Sequence, residues 1–231
     1  KLEKKYISLN RITSNHRIYR ALLVSELSAH NLLDDGYVSF SRVCPDNGKH
    51  YKENLTSAYT DFKIPISIVH RATSILDKLD DDLRIDFTDG SIPNQSMVLG
   101  PIDAMMSSFV HVVSETQYFP HKQHLTEKIF KPIVAKQPFI LAGSAHNLDY
   151  LKSYGFKTFD NVIDESYDNE PDNAKRYAMA WAQIVRLQNT DGPRQVYEHF
   201  KDVLEHNHQL MLSIPKQQLK DIQRFIHAPF A

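Results

Sequence analysis

Two short apolar runs joined by one amphipathic segment constrain this chain more than any other feature. Tyr6-Ile7-Ser8-Leu9 reads as a strand, and Tyr37-Val38-Ser39-Phe40 as a second. Between them Ile18, Leu22, Leu23, Leu27 and Leu32 recur at near-helical spacing, with Ser14 or Asn15 placed to cap the helix and Gly36 closing the connection. Strand, helix, strand is a βαβ unit. The second strand must return across a sheet face rather than through a hairpin, so the unit requires a parallel sheet with helices packed on it.

The pattern resumes downstream. Phe109-Val110-His111-Val112-Val113 is an apolar, β-branched run suited to a buried strand, and Pro138-Phe139-Ile140-Leu141-Ala142-Gly143 is another. A helix is expected between them near Leu125–Ala135, a short one over Asn147–Tyr154, and a last short strand at Lys157-Thr158-Phe159. Ile64 to Val69 reads as an edge strand or an extended loop, because Pro65 donates no hydrogen bond. After Asp172 the pattern is helical over 172–189, 193–212 and 215–227, with Pro193 and Pro215 as breaks. The expectation is one α/β domain over 1–231, with an insertion at 42–99 and a helical tail at 172–231.

Composition narrows the classes. Formal net charge is −1, whereas a protein gripping duplex DNA over its whole surface would be basic. Cys44 is the single cysteine, which excludes an internal disulfide and suits a reducing, cytoplasmic setting. No apolar run approaches the roughly 20 residues needed to span a bilayer. The start, Lys1 to Tyr6, has neither a signal-peptide core nor an initiator Met, so the expectation is a processed or trimmed chain that could lack an anchor or another domain upstream.

In an open parallel sheet, ligands bind beyond the carboxyl ends of the strands. Two polar clusters fall there: Asn10 to Arg17 after the first strand, and Ser114-Glu115-Thr116 with Thr126-Glu127-Lys128 after the third. A diphosphate needs oriented N–H groups, which a helix start supplies, and cationic side chains such as Arg and Lys. A carboxylate such as Glu127 can accept from two ribose hydroxyls. The seven glycines form neither G-x-G-x-x-G nor a P-loop, so side chains and helix ends must do this work. Each cluster also has an ordinary reading: Arg11 and Arg17 as solvated loop charges, Glu127-Lys128 as a surface pair, and Asp80-Asp81-Asp82 as a solvated face. His121, His124 and Glu127 have metal-like spacing but match no strong zinc pattern, and no metal is expected.

Three segments together resemble the α1,3-fucosyltransferases: Phe109 to Thr116, Leu125-Thr126-Glu127-Lys128-Ile129-Phe130, and Ala135 to Gly143. The strand followed by Thr13-Ser14-Asn15-His16-Arg17 is similar to that family's Ser-Asn…Arg segment. The Thr126-Glu127-Lys128-Ile129-Phe130-Lys131-Pro132 segment also resembles short phage and marine bacterial glycosyltransferase-like proteins. The chain departs from the fucosyltransferases in having Ser114-Glu115-Thr116 where they have Glu-Asn-Ser. The resemblance implies a Rossmann-like donor domain, one half of the two-Rossmann (GT-B) architecture. It implies Arg17 and Lys128 on the diphosphate of a nucleotide sugar and Glu127 on the ribose.

Arg11, Asn15, Thr126 and Lys131 are further binding candidates from charge and position, and Glu115 is the candidate general base. The expected activity is transfer of a sugar from a nucleoside diphosphate to an acceptor hydroxyl, on a glycan or a modified DNA base. The acceptor side would be closed by a partner chain or a missing domain. The alternatives are a nucleotide-binding or interaction module without turnover, and a domain that binds nucleic acid through its Arg11/Arg17 and Lys128/Lys131 edge.

Overall fold

Four strands, β1 (Lys4–Leu9), β2 (Gly36–Ser39), β3 (Ser108–Ser114) and β4 (Phe139–Ala142), pair in parallel in the order β2-β1-β3-β4. They belong to a computed structural model that describes residues 2–85, 101–118, 122–188 and 193–227, without the side chains of 187–188, 193–196 and 219–227. Ile7 lies beside Tyr37 on one side and His111 on the other, and His111 lies beside Phe139. Every residue of β3 and β4 is buried, as expected of strands covered on both faces. The sheet is thus α/β and Rossmann-like, flanked by helices.

Helix α1 (Tyr19–Ala29) carries the chain from β1 to β2. It is preceded by a 3-10 turn, Asn15–Arg17, which Ser14 opens. Gly36 serves close packing at the start of β2: a Cβ there would lie 2.3 Å from Cζ of Tyr6, whose hydroxyl donates to the Leu32 carbonyl at 2.8 Å. Helices α2 (Tyr51–Thr60) and α3 (Ile66–Leu76) follow β2, and Leu55, Ala58, Val69, Ala72 and Leu76 join the main core. After α4 (Ile102–Met106) come β3, α5 (Glu127–Val134), β4 and α6 (Asn147–Ser153). Helices α7 (Asn173–Gln188) and α8 (Pro193–His227) end the chain, packing on the core through Ala180, Ile184, Phe200 and Leu204.

Three local expectations are corrected. The stretch from Ile64 to Val69 is not an edge strand, and only Ile64 and Pro65 are loop, because helix α3 begins at Ile66. Pro65 is the N-cap of α3, where its missing N–H costs nothing, and Val69, Ala72 and Leu76 return at helical spacing to the core. Lys157 to Phe159 forms no strand. The Asn207 side chain of α8 clasps Lys157 through its N–H and its carbonyl, both at 2.8 Å, and Glu165 accepts from Phe159 N at 2.8 Å. Side chains therefore take the bonds a neighbouring strand would have taken. Pro215 does not break the tail, because α8 runs through it as one helix. Asp89-Gly90 and the rest of 86–99 lie outside the described residues.

Candidate functional site

The strand order creates the site. From β1 the chain crosses to β2 on one side, while β3 pairs with β1 on the other, so the segments leaving β1 and β3 diverge. Between them lies a crevice of about 470 Å³. Leu9, Ser39, His111 and Val113 supply its floor. Arg11, Ile12, Arg17 and Arg20 come from the β1–α1 connection and α1, Pro45 and Asp46 from the loop after β2, and Thr116, Glu127, Lys128 and Lys131 from the β3–α5 side.

Buried polar groups hold the strand ends in place. Asn10 is fully buried; its N–H donates to Ser39 and its side-chain amide to Ser8 Oγ, while Ser114 Oγ donates to its Oδ1 at 2.8 Å. Three strands are thereby fastened to one residue, β2 through its backbone N–H and β1 and β3 through its side chain. Arg20, only 3% exposed, donates to the carbonyls of Ile12 (3.1 Å), Ser114 (2.7 Å) and Glu115 (3.2 Å). Tyr19 donates to the carbonyls of Glu115 (2.6 Å) and Ala142 (3.1 Å), and burial raises its phenol far above the usual range. The first turn of α1 thus staples the ends of β1, β3 and β4.

Glu115 sits beneath the crevice rather than in its wall. It is fully buried, and its carboxylate accepts from Thr126 N (3.0 Å), Thr126 Oγ1 (2.6 Å) and Thr116 N (3.1 Å). Thr126 is in turn the N-cap of α5, accepting from Lys128 N. A buried carboxylate therefore fixes the start of the helix that presents Glu127, Lys128 and Lys131.

The cations differ in their ties. Lys128 Nζ donates to Glu127 Oε1 (2.8 Å), Thr126 Oγ1 (3.2 Å) and Thr116 Oγ1 (3.3 Å). Lys131, one turn on, has no hydrogen bond or salt bridge to the described residues; burial and then Lys128 lower its pKa against the opposing pull of Glu127. Burial works to raise the Glu127 carboxyl, but the hydrogen bond and charge of Lys128 outweigh it and hold the pKa below the usual range. His111 is pushed down to about 3, by burial first and then by Lys131, with Gln137 opposing, so it is neutral at physiological pH. Arg17 Nη1 donates to Ser14 Oγ and Asp46 Oδ2, each at 3.3 Å, and Ser14 Oγ also donates to Asp46. The loop carrying Asp46 is anchored by Cys44, whose sulfur accepts from Thr13 N at 3.4 Å; burial would raise that thiol's pKa, but backbone donors from Thr13, Asp46 and Asn47 lower it overall.

Five of the predicted binding residues, Arg11, Arg17, Glu127, Lys128 and Lys131, are brought together here. Asn15 is exposed and outside the lining; its φ of +51° shapes the turn before Arg17, a conformation Asn tolerates. Thr126 lies outside the lining as the cap of α5. His121 is outside the described residues, and His124 offers its backbone N–H to Asn147. Asp82, from the acidic run, accepts from Arg42 N at 2.8 Å. Among the described residues no group of three His, Cys, Asp or Glu side chains could hold a metal ion, and no helix is long and apolar enough to cross a membrane.

Sequence reasoning missed Arg20, His111 and Asp46, and it placed Asn10 in the first polar cluster without giving it a role. Arg20 and His111 left a signal: each is a lone polar residue inside an apolar run, Tyr19–Val24 and Phe109–Val113. Asp46 left none, since its part of the crevice comes from a loop whose placement depends on tertiary contacts. No protein-family model, curated protein or solved structure matches the chain.

Proposed function

We propose that the crevice binds the diphosphate of a nucleotide-sugar donor, and that the protein transfers the sugar to an acceptor hydroxyl on a glycan or a modified DNA base. One observation carries this reading. Among the described residues, Arg11, Arg17, Arg20, Lys128 and Lys131 line one crevice at the carboxyl ends of a parallel sheet, together with two carboxylates, Asp46 and Glu127, so that positive side chains outnumber negative ones there. The diphosphate of a nucleotide sugar, esterified at both ends, carries about two negative charges near neutral pH, and further charge develops on it as the sugar departs. Guanidinium forks and the N-terminus of α5 supply directional donors, and the lysines supply compact charge. Glu127 is the ribose acceptor in this reading. Sugar transfer leaves negative charge on the departing diphosphate, and cations already in place stabilise it without reorganisation. Glu115, engaged by three donors, is a positioning residue that sets α5. The resemblance of the Thr126-Glu127-Lys128 segment to the α1,3-fucosyltransferases supports the same donor chemistry.

A second reading, a nucleotide-binding module without turnover, is favoured by a different observation. Among the described residues, the two carboxylates lining the crevice are both ion-paired, Asp46 with Arg17 and Glu127 with Lys128. Neither is a ready proton acceptor for an incoming hydroxyl.

Titration calorimetry against nucleoside diphosphates and their sugar conjugates tests both readings. Binding with release of labelled sugar supports the transferase, and binding without release supports the module. The absence of binding to any of them removes both.

A further inference from the structure

Glu127 stands in the first turn of α5, where the helix dipole favours a carboxylate. Asp46 has no such reason to face the crevice. It lies on the loop after β2, and its Oδ2 takes Ser14 Oγ and Arg17 Nη1 at once. A hydroxyl donor and a guanidinium on one oxygen are the partners a phosphate oxygen would take. The loop is held to the β1–α1 connection by Thr13 N on Cys44 Sγ, and it is closed by Gly48 N on the Cys44 carbonyl at 2.9 Å. Asp46 is therefore delivered to this position at high effective concentration.

We propose that Asp46 is a built-in competitor that sets the anion specificity of the crevice: its carboxylate holds Arg17 and Ser14 until a linked polyanion displaces it. The inference rests on the diphosphate reading of the site. A single carboxylate or a small monoanion offers Arg17 no more than Asp46 already offers, and it lacks the advantage of tethering. A diphosphate brings greater charge and engages Arg17 together with the Lys128 and Lys131 side of the same crevice. Displacement is feasible because the pair is partly solvated: the Arg17 and Asp46 side chains are 26% and 41% exposed, and such pairs hold weakly. Lys131, without a bonded partner among the described residues, is the complementary attraction that draws the ligand in.

The test measures inorganic pyrophosphate binding by calorimetry in the full chain, in Asp46→Asn and in Asp46→Ser, with the fold of each checked by circular dichroism. Removing the competing charge should tighten pyrophosphate about fivefold, the discrimination expected for a partly exposed ion pair. In an Arg17→Ala background most of the gain should vanish, because that guanidinium is the charged group Asp46 competes for, Ser14 being a neutral donor. Two substitutions are used so that a folding defect in one leaves the other informative. Wild-type binding with unchanged or weakened affinity in both Asp46 variants would overturn this inference and leave the diphosphate reading standing. A gain that persists without Arg17 would also overturn it, reducing Asp46 to a general charge effect. Failure of every protein to bind pyrophosphate would overturn the diphosphate reading and this inference with it.

Discussion

Replacing Glu115 with Gln separates a structural carboxylate from a catalytic one. Oε2 accepts two donors, Thr126 Oγ1 and Thr116 N, and Oε1 accepts Thr126 N. The best glutamine rotamer keeps its oxygen at the Oε2 position. Its NH2 group then faces the Thr126 N–H across the former 3.0 Å contact, donor against donor. One charge-assisted bond is lost and two become neutral, against a smaller desolvation cost for the amide. The net destabilisation is about 3 kcal/mol. For a chain of this length that lowers Tm by about 6–12 °C. Because Thr126 caps α5, nucleoside diphosphate affinity should fall with stability, by about threefold or more, as Lys128 loses its fixed position. Urea unfolding and calorimetry on the same preparation check both effects. A variant with wild-type stability and wild-type diphosphate affinity that has lost sugar transfer would refute this reasoning and make Glu115 the proton acceptor.

Lys128→Ala should weaken nucleoside diphosphate binding more than tenfold, or over ~1.4 kcal/mol, while the far-ultraviolet circular dichroism stays unchanged; equal affinity by calorimetry would remove Lys128 from the site. Donor binding should persist in EDTA, since five cations already line the crevice; loss on chelation with recovery in Mg²⁺ or Mn²⁺ would assign the diphosphate to a metal instead. The His111 pKa is about 3 in the fold against 6.5 unfolded, so the unfolded chain binds the extra proton between those values. The contribution of neutral His111 is therefore intact above about pH 6.5 and lost as pH falls, at up to about 1.4 kcal/mol per unit. Urea titrations of the wild type and His111→Leu at pH 7, 5.5 and 4.5 should show their stability difference moving toward the variant as pH falls, and a constant difference would mean that His111 is not held neutral.

Local periodicity sufficed wherever one segment's pattern decided its own state. The runs around Ile7, Val38, Val112 and Ile140 are apolar and β-branched enough to be buried strands in any context, and the helix between the first two follows from leucine spacing. That reasoning placed Arg11, Arg17, Glu127 and Lys128 at the carboxyl ends of strands. It failed at Pro65, where a proline suits an extended segment and a helix start equally, and at Lys157–Phe159, where strand character depends on a neighbour. The convergence of the basic clusters on one crevice is a property of the order β2-β1-β3-β4, because only the reversal between β1 and β3 makes their connections diverge around a common space. The same holds for Glu115. Its position after a buried strand marked it as unusual, but its partner Thr126 comes from another segment, and partnership decides whether a buried carboxylate accepts protons or holds a helix in place. Asp46 is the extreme case: nothing in its neighbours announces a role, and only the fold sets its carboxylate on Arg17, since hydrogen bonds between distant segments are made by packing and not by spacing along the chain.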